Sequence, residues 1–140
     1  MSFEFKGARA FITGGTRGIG RAIALALAEA GADVAVNYLR NRAPAEETRQ
    51  MVEALGRRCL VLKGNVADHE HIHRMYETLG EEFGGLDMLI SNAASGVLKP
   101  AVDLTQKHWR WTIDINAGAL LLMALGLFIG GLLFRAAARR

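Results

Sequence analysis

The segment Thr13-Gly14-Gly15-Thr16-Arg17-Gly18-Ile19-Gly20 has the residue types needed to receive an anion. A diphosphate must be approached closely by backbone N–H groups. Glycines lack a Cβ and so permit both the tight turn and the approach, while a helix starting there adds positive potential. Gly14, Gly18 and Gly20 stand where that chemistry needs them, with Thr16, Arg17 and Ile19 completing the loop. A second cluster bears on which dinucleotide would bind. Sites for NAD usually end the second strand with an acidic residue that bonds the ribose 2′-hydroxyl, whereas a 2′-phosphate is repelled by an acid and prefers arginine. Here Val36 is followed by Asn37 and Tyr38, with no acid, and Arg17, Arg40 and Arg42 are available to converge on a phosphate. NADP(H) is therefore the expected cofactor.

Other chemistry is weaker. His69 and His73 share a helical face, with His71 between them and His108 later, but no clear third ligand stands nearby and no metal site is expected. Cys59 is the single cysteine, which excludes an internal disulfide and, placed before Leu60-Val61-Leu62, reads as a buried, inert thiol of a reducing compartment. Trp109 and Trp111 read as helix packing and surface, since no basic groove accompanies them. The formal charge of +3 is small, and the Lys and Arg residues are scattered until the last six positions, so no nucleic-acid partner is expected.

The elements that must position the loop follow from hydrophobic periodicity. Short apolar runs at Ala8 to Thr13, Val34 to Tyr38, Cys59 to Lys63 and Met88 to Ser91 alternate with segments of helical period, the pattern of βαβ units around a parallel sheet. The first helix is expected from Gly18 to Ala30 with Ile19, Ile23 and Leu27 inward and Gly31 as its stop. Pro44 suits the first turn of a second helix whose Met51, Val52 and Leu55 face the core and whose end is Gly56. Asp68 is a plausible N-cap for a third helix with a stripe of Ile72, Met75, Leu79 and Phe83, stopped by Gly84-Gly85. A last helix is expected from near Thr105 through Trp109, Ile113 and Asn116. Right-handed crossovers then give strand order 3-2-1-4 with helices on both faces, a doubly wound α/β sheet of Rossmann type ending after about four strands.

The spacing T-G-x-x-x-G-x-G, Asn65-Val66, Ser91-Asn92-Ala93-Ala94 and Asn116, in that order, resembles the short-chain dehydrogenase/reductase family over residues 1 to about 124. The stretch Ser91 to Pro100, with His108-Trp109-Arg110-Trp111-Thr112 and Ile115-Asn116-Ala117, is similar to NADPH-dependent enoyl-[acyl-carrier-protein] reductase III, with 3-oxoacyl-[acyl-carrier-protein] reductases as close rivals. The resemblance implies that Thr13, Gly14, Thr16, Arg17, Gly18, Ile19, Gly20, Asn37 and Arg40 contact the cofactor. It also implies that Asn65 and Val66 flank the adenine, and that Asn92, Ala93 and Ala94 line the nicotinamide ribose. Asn65 stands where many members have Asp. The resemblance further implies an acyl-carrier-protein-bound or other carbonyl or enoyl substrate in fatty acid synthesis, and a homo-oligomer.

It also implies acid catalysis by a tyrosine with a lysine beside it, a serine and the helix asparagine. Of these only Asn116 is present. The sole tyrosines, Tyr38 and Tyr76, have Arg42, Ala45, Gly80 and Phe83 at the four- and seven-residue offsets where the lysine would stand. The chain as given is expected to bind cofactor without turnover, and a catalytically inactive nucleotide-binding module is the alternative.

Ala117 to Phe134 carries no charge before Arg135, Arg139 and Arg140. About 18 helical residues span about 27 Å, near the hydrocarbon thickness of a bilayer, so a marginal membrane span is one expectation. A helix buried against the sheet is another for residues 117 to 124, and the Leu, Gly, Ala and Arg bias of residues 125–140 suggests a truncated or frameshifted reductase. The expected organisation is a cofactor-binding half-domain over 1–124 and a divergent apolar tail over 125–140. Met1 to Lys6 lacks the pattern of a secretory signal, so a cytoplasmic location is expected, with membrane association through residues 117–134 as the alternative.

Overall fold

Alternation along the strands explains the two-sided core. In the computed structural model, which describes residues 4–126, Phe11 of β1 (Arg9–Ile12) points to one face of the sheet while Ala10 and Ile12 point to the other. The same division holds for Ala35 against Val34 and Val36 in β2 (Asp33–Tyr38), and for Leu62 against Cys59 in β3 (Cys59–Lys63). With β4 (Met88–Ile90), these strands form one parallel sheet in the order β3-β2-β1-β4, as expected.

Helices α1 (Gly18–Glu29) and α2 (Ala43–Ala54) cover one face, and α3 (His69–Phe83) the other, together with residues from the chain after β4. The expected α3 stripe of Ile72, Met75, Leu79 and Phe83 is buried, Asp68 accepts the His71 N–H at 3.0 Å as its cap, and Gly84 ends it at φ +73°. Two inward faces differ from expectation. In α1 the buried residues are Gly20, Ala24 and Ala28; Ile23 and Leu27 flank them, and Ile19 is 76% exposed. Small residues at spacing four let the helix sit close to the sheet. In α2 only Val52 of the expected trio is buried, joined by Ala45 and Thr48, while Met51 and Leu55 are exposed. The tie of Thr48 to the glycine loop, described below, turns α2 onto that stripe.

Beyond β4 a 3-10 turn (Ala101–Asp103) precedes α4 (Gln106–Ile113), which starts at a Thr105–His108 capping box. A π-helical turn (Asp114–Gly118) follows, and residues 119–126 continue as α-helix. The wider turn brings Ile115, Ala119 and Met123 onto one inward line. The Tyr76 hydroxyl donates to the Met123 carbonyl at 2.7 Å, and its ring meets Phe11 edge-on with centroids 6.4 Å apart. The described part of the uncharged stretch thus packs on α3. Among the described residues no helix is long and apolar enough to cross a membrane; residues 127–134 of that reading, and most of the 125–140 tail, lie outside them. Cys59 is buried, and burial pushes its thiol up to about 12, a state without thiolate chemistry near neutral pH.

The amino-terminal ends of the strands, away from the glycine loop, are held by ion pairs. Asp33 binds Arg57 at 2.6 Å and Arg58 at 2.8 Å, and Arg9 binds Asp87 at 2.8 Å. Burial raises the Asp33 carboxyl, but the hydrogen bonds from Arg58 and the attraction of Arg57 outweigh it and leave it below the usual range. The Arg9 hydrogen bond likewise lowers Asp87. Both carboxylates therefore contribute stability that is complete above their unfolded value of about 4 and is lost as pH falls through the lower folded values. Melting temperature should be level down to about pH 4 and drop below it, and Asp33→Asn should flatten that drop. A wild-type profile level to about pH 2 would refute the assignment.

Candidate functional site: a dinucleotide cavity at the strand ends

The carboxyl ends of β1, β2, β3 and β4 open on a cavity of about 620 Å³, placed where the strand order reverses between β1 and β4. Open parallel sheets bind ligands at such switch points because the connecting loops diverge there. The glycine loop forms one wall. Gly14 sits at φ +63°, and a Cβ there would come 3.1 Å from Ala93 Cα, so the chain needs glycine for both conformation and contact. The N-terminus of α1 has no side-chain cap and no acidic residue in its first turn. Its N–H groups and dipole are left for an anion, whereas Asp68 caps α3 and Thr105 caps α4.

Of the residues expected to contact cofactor, Gly14, Thr16, Arg17, Gly18, Ile19 and Gly20 line the cavity from the loop, and Asn37 and Arg40 from β2 and the turn after it. Asn65 and Val66 line it from the end of β3, and Asn92, Ala93 and Ala94 from the end of β4. Thr13 does not. It is wholly buried, and its hydroxyl accepts the N–H groups of Asn92 and Ala93, both at 2.9 Å, so it shapes the wall from behind. Asn92 returns the tie, its amide donating to the Thr13 carbonyl at 2.9 Å and the Gly14 carbonyl at 3.3 Å.

Asn37 borders the cavity, but its amide already has work. Its oxygen accepts the Gly14 N–H at 2.7 Å and its nitrogen donates to the Gly64 carbonyl at 2.9 Å, binding the loop to the end of β3. The Asn65 oxygen accepts the Ala67 N–H at 3.0 Å. Asn116, expected in the catalytic group, spends both ends of its amide on the backbone of Ser95, at 2.8 Å each, and lies outside the lining. It holds the β4–α4 loop.

The three arginines separate. Arg17 and Arg40 are exposed on the cavity rim, and neither has an ion pair among the described residues. Arg42 instead pairs with Glu46 at 2.7 Å one helical turn away and does not line the cavity, which corrects the expectation for it. Two of the histidines lie beside local acids, His71 3.7 Å from Asp68 and His73 3.2 Å from Glu77, and no metal-binding cluster occurs among the described residues. Tyr76 is buried, which pushes its phenol above the ordinary range.

Sequence reasoning missed Trp111, which lines the cavity with Ser95 and Ile115 and donates its indole N–H to the Ser95 hydroxyl at 2.8 Å. It also missed Arg21 and Thr48, which sit behind the glycine loop. A threonine on the same helical line as Ala45 and Val52 was the available signal.

A parallel sheet ordered 3-2-1-4, with a glycine loop and an uncapped helix N-terminus at its switch point, defines a dinucleotide-binding α/β fold. The sequence matches the short chain dehydrogenase family over residues 8–128, and the chain belongs to that family. It is 39% identical over 117 residues to the oxidoreductase YhdF of Bacillus subtilis, covering 80% of this chain and 40% of that protein. It is 32% identical to the hydroxynaphthalene reductase-like protein Arp2 of Metarhizium acridum, covering 86% and 45%. Among solved structures, a short chain dehydrogenase from Burkholderia cenocepacia in complex with NADP superposes with a TM-score of 0.84 at 36% identity, over 89% of this chain and 51% of that one. A blue fluorescent protein from a metagenomic library, in complex with NADPH, gives 0.84 at 31% identity, over 90% and 52%. The chain spans about two-fifths of the length of the curated relatives it matches and about half that of the solved structures.

Proposed function

We propose that this chain is the NADP(H)-binding half of a short-chain reductase. The observation that carries the reading is the pairing of Arg17 and Arg40 on one cavity rim, beside a β2 end that carries Asn37 and Tyr38 instead of an acid. A 2′-phosphate there meets two cations and no repelling carboxylate. The diphosphate would lie on the N–H groups of the uncapped α1, the adenine between Asn65 and Val66, and the nicotinamide ribose along Asn92 to Ala94. NADP(H) supplies the hydride of a reduction when bound, and Thr13, Asn37 and Asn92 hold the loops that seat it.

The similarity of residues 91–117 to enoyl-[acyl-carrier-protein] reductases makes an acyl thioester the substrate class we assign to the full-length type, in fatty acid synthesis, with a homo-oligomer as its assembly. Among the described residues the one tyrosine lining the cavity is Tyr38, and it has Arg42 and Ala45, not lysine, at the four- and seven-residue offsets. Tyr76 is buried with its hydroxyl on Met123, and Asn116 is bound to Ser95. The expected result is saturable quenching or shift of NADPH fluorescence, weaker binding of NADH, and no oxidation of NADPH with enoyl or 3-oxoacyl thioesters. Equal affinity for NADPH and NADH would overturn the cofactor reading, and turnover by pure protein would overturn the assignment as a binding half.

A further inference from the structure

Arg21 and Thr48 lie behind the cavity and outside its lining. The Arg21 guanidinium turns back along α1, and its Nε and Nη2 donate to the Thr16 carbonyl at 3.1 and 2.7 Å. Nη2 also donates to the Pro44 carbonyl at 3.0 Å and to the Glu47 carboxylate at 3.0 Å, while Nε reaches the Thr48 hydroxyl at 2.9 Å. Thr48 is wholly buried, and its hydroxyl lies 3.1 Å from the carbonyls of both Thr16 and Pro44, with one proton to give them. Thr16 and Pro44 belong to two separate arms of the cavity. The first arm carries Arg17, and the second, running from Leu39 to Pro44, carries Arg40.

The Arg21 side chain is 24% exposed, so most of it is removed from water. A guanidinium in that setting needs partners for its donors, and here those of Nε and Nη2 are met largely by carbonyls of the two arms. Its planar fork can hold both carbonyls in one geometry, which a lysine ammonium cannot do.

We infer that Arg21, with Thr48, is a positioning residue that fixes the glycine loop against the β2–α2 turn and so sets how well Arg17 and Arg40 converge on one phosphate. This rests on the NADP(H) reading above. NADH lacks the group that both arms must grip together, so loosening the clamp weakens NADPH binding more than NADH binding. A role in folding alone would weaken both alike.

The test is titration of the whole chain and its variants with NADPH and NADH by fluorescence. Arg21→Ala should lower the NADPH-to-NADH affinity ratio about tenfold, a loss of about 1.4 kcal/mol from the joint grip on the phosphate. Arg21→Lys should recover only part of the ratio, Thr48→Val should lower it, and Thr48→Ser should restore it. If Arg21→Ala fails to fold, the Thr48 pair carries the same comparison. In the nucleotide-free protein, amide exchange should quicken together in residues 16–21 and 42–46 of Arg21→Ala.

A ratio held within about twofold in Arg21→Ala and Thr48→Val, while the wild type prefers NADPH, would overturn the inference and leave the cofactor reading standing. A wild type without NADPH preference would overturn both. Exchange quickened in one segment only would show that the two arms are not coupled through Arg21, and would overturn the inference whatever binds.

Discussion

Gly20→Ala should abolish measurable NADPH binding. A Cβ at this position would collide with the Gly14 carbonyl oxygen and lie 2.5 Å from the Asn92 amide nitrogen and 2.9 Å from Gly15 Cα. None of these can step aside cheaply. Two are backbone atoms of the loop, and the Asn92 amide is held by its bonds to Thr13 and Gly14. Relief requires α1 to slide away from β1, which withdraws the helix N-terminus from the diphosphate. One ångström of misplacement can cost about a hundredfold, so the dissociation constant should rise by at least that factor. Titration against the wild type, with a melting curve to establish that the variant is folded, checks it. A folded variant binding NADPH within about threefold of wild type would remove the glycine loop from the site.

Arg17→Ala with Arg40→Ala should erase the preference for NADPH over NADH while leaving NADH binding within a few-fold. Each cation would make a charge-assisted bond to the 2′-phosphate worth about 1.5 to 3 kcal/mol in a desolvated setting, and less on an exposed rim. About 1 to 1.5 kcal/mol apiece predicts a loss of about thirty- to a hundredfold in NADPH affinity for the pair. The preference should also shrink as salt rises, because the rim is open to solvent. Arg42→Ala is the contrast, since its guanidinium is already engaged with Glu46, and it should alter the ratio little. A double variant that keeps the wild-type ratio would place the 2′-phosphate elsewhere or deny it altogether.

How much of this could be read from residues alone differs by element. The sheet order, the α3 stripe, the Asp68 cap and the glycine stops at Gly56 and Gly84 were legible, because period-2 and period-3.6 burial and local capping act within a few residues. The inward faces of α1 and α2 were not. Large apolar residues such as Ile19, Met51 and Leu55 outweigh alanines in a pattern, yet close approach to the sheet selects Gly20, Ala24, Ala28, Ala45 and Thr48. The π-helical turn that aligns Ile115, Ala119 and Met123 is invisible to a 3.6-residue template because its turn is wider than that period.

For the site itself, the sequence alone carried the features on which the proposed NADP(H) reading rests. Loop spacing, the missing acid after β2 and the arginines nearby are properties of residue type and order. Only the tertiary structure decided which side chains are free to use. It placed Thr13 behind the cavity wall and bound Asn116 to the Ser95 backbone outside the lining, gave Asn37 a bracing role beside its place in that lining, took Arg42 out of the cavity into an ion pair, and brought Trp111, Arg21 and Thr48 to the loops. A polar side chain can serve a ligand only with hydrogen-bonding capacity left over. That remainder depends on carbonyls and N–H groups far along the chain, such as Gly64 for Asn37 and Pro44 for Arg21, which the fold alone brings within reach.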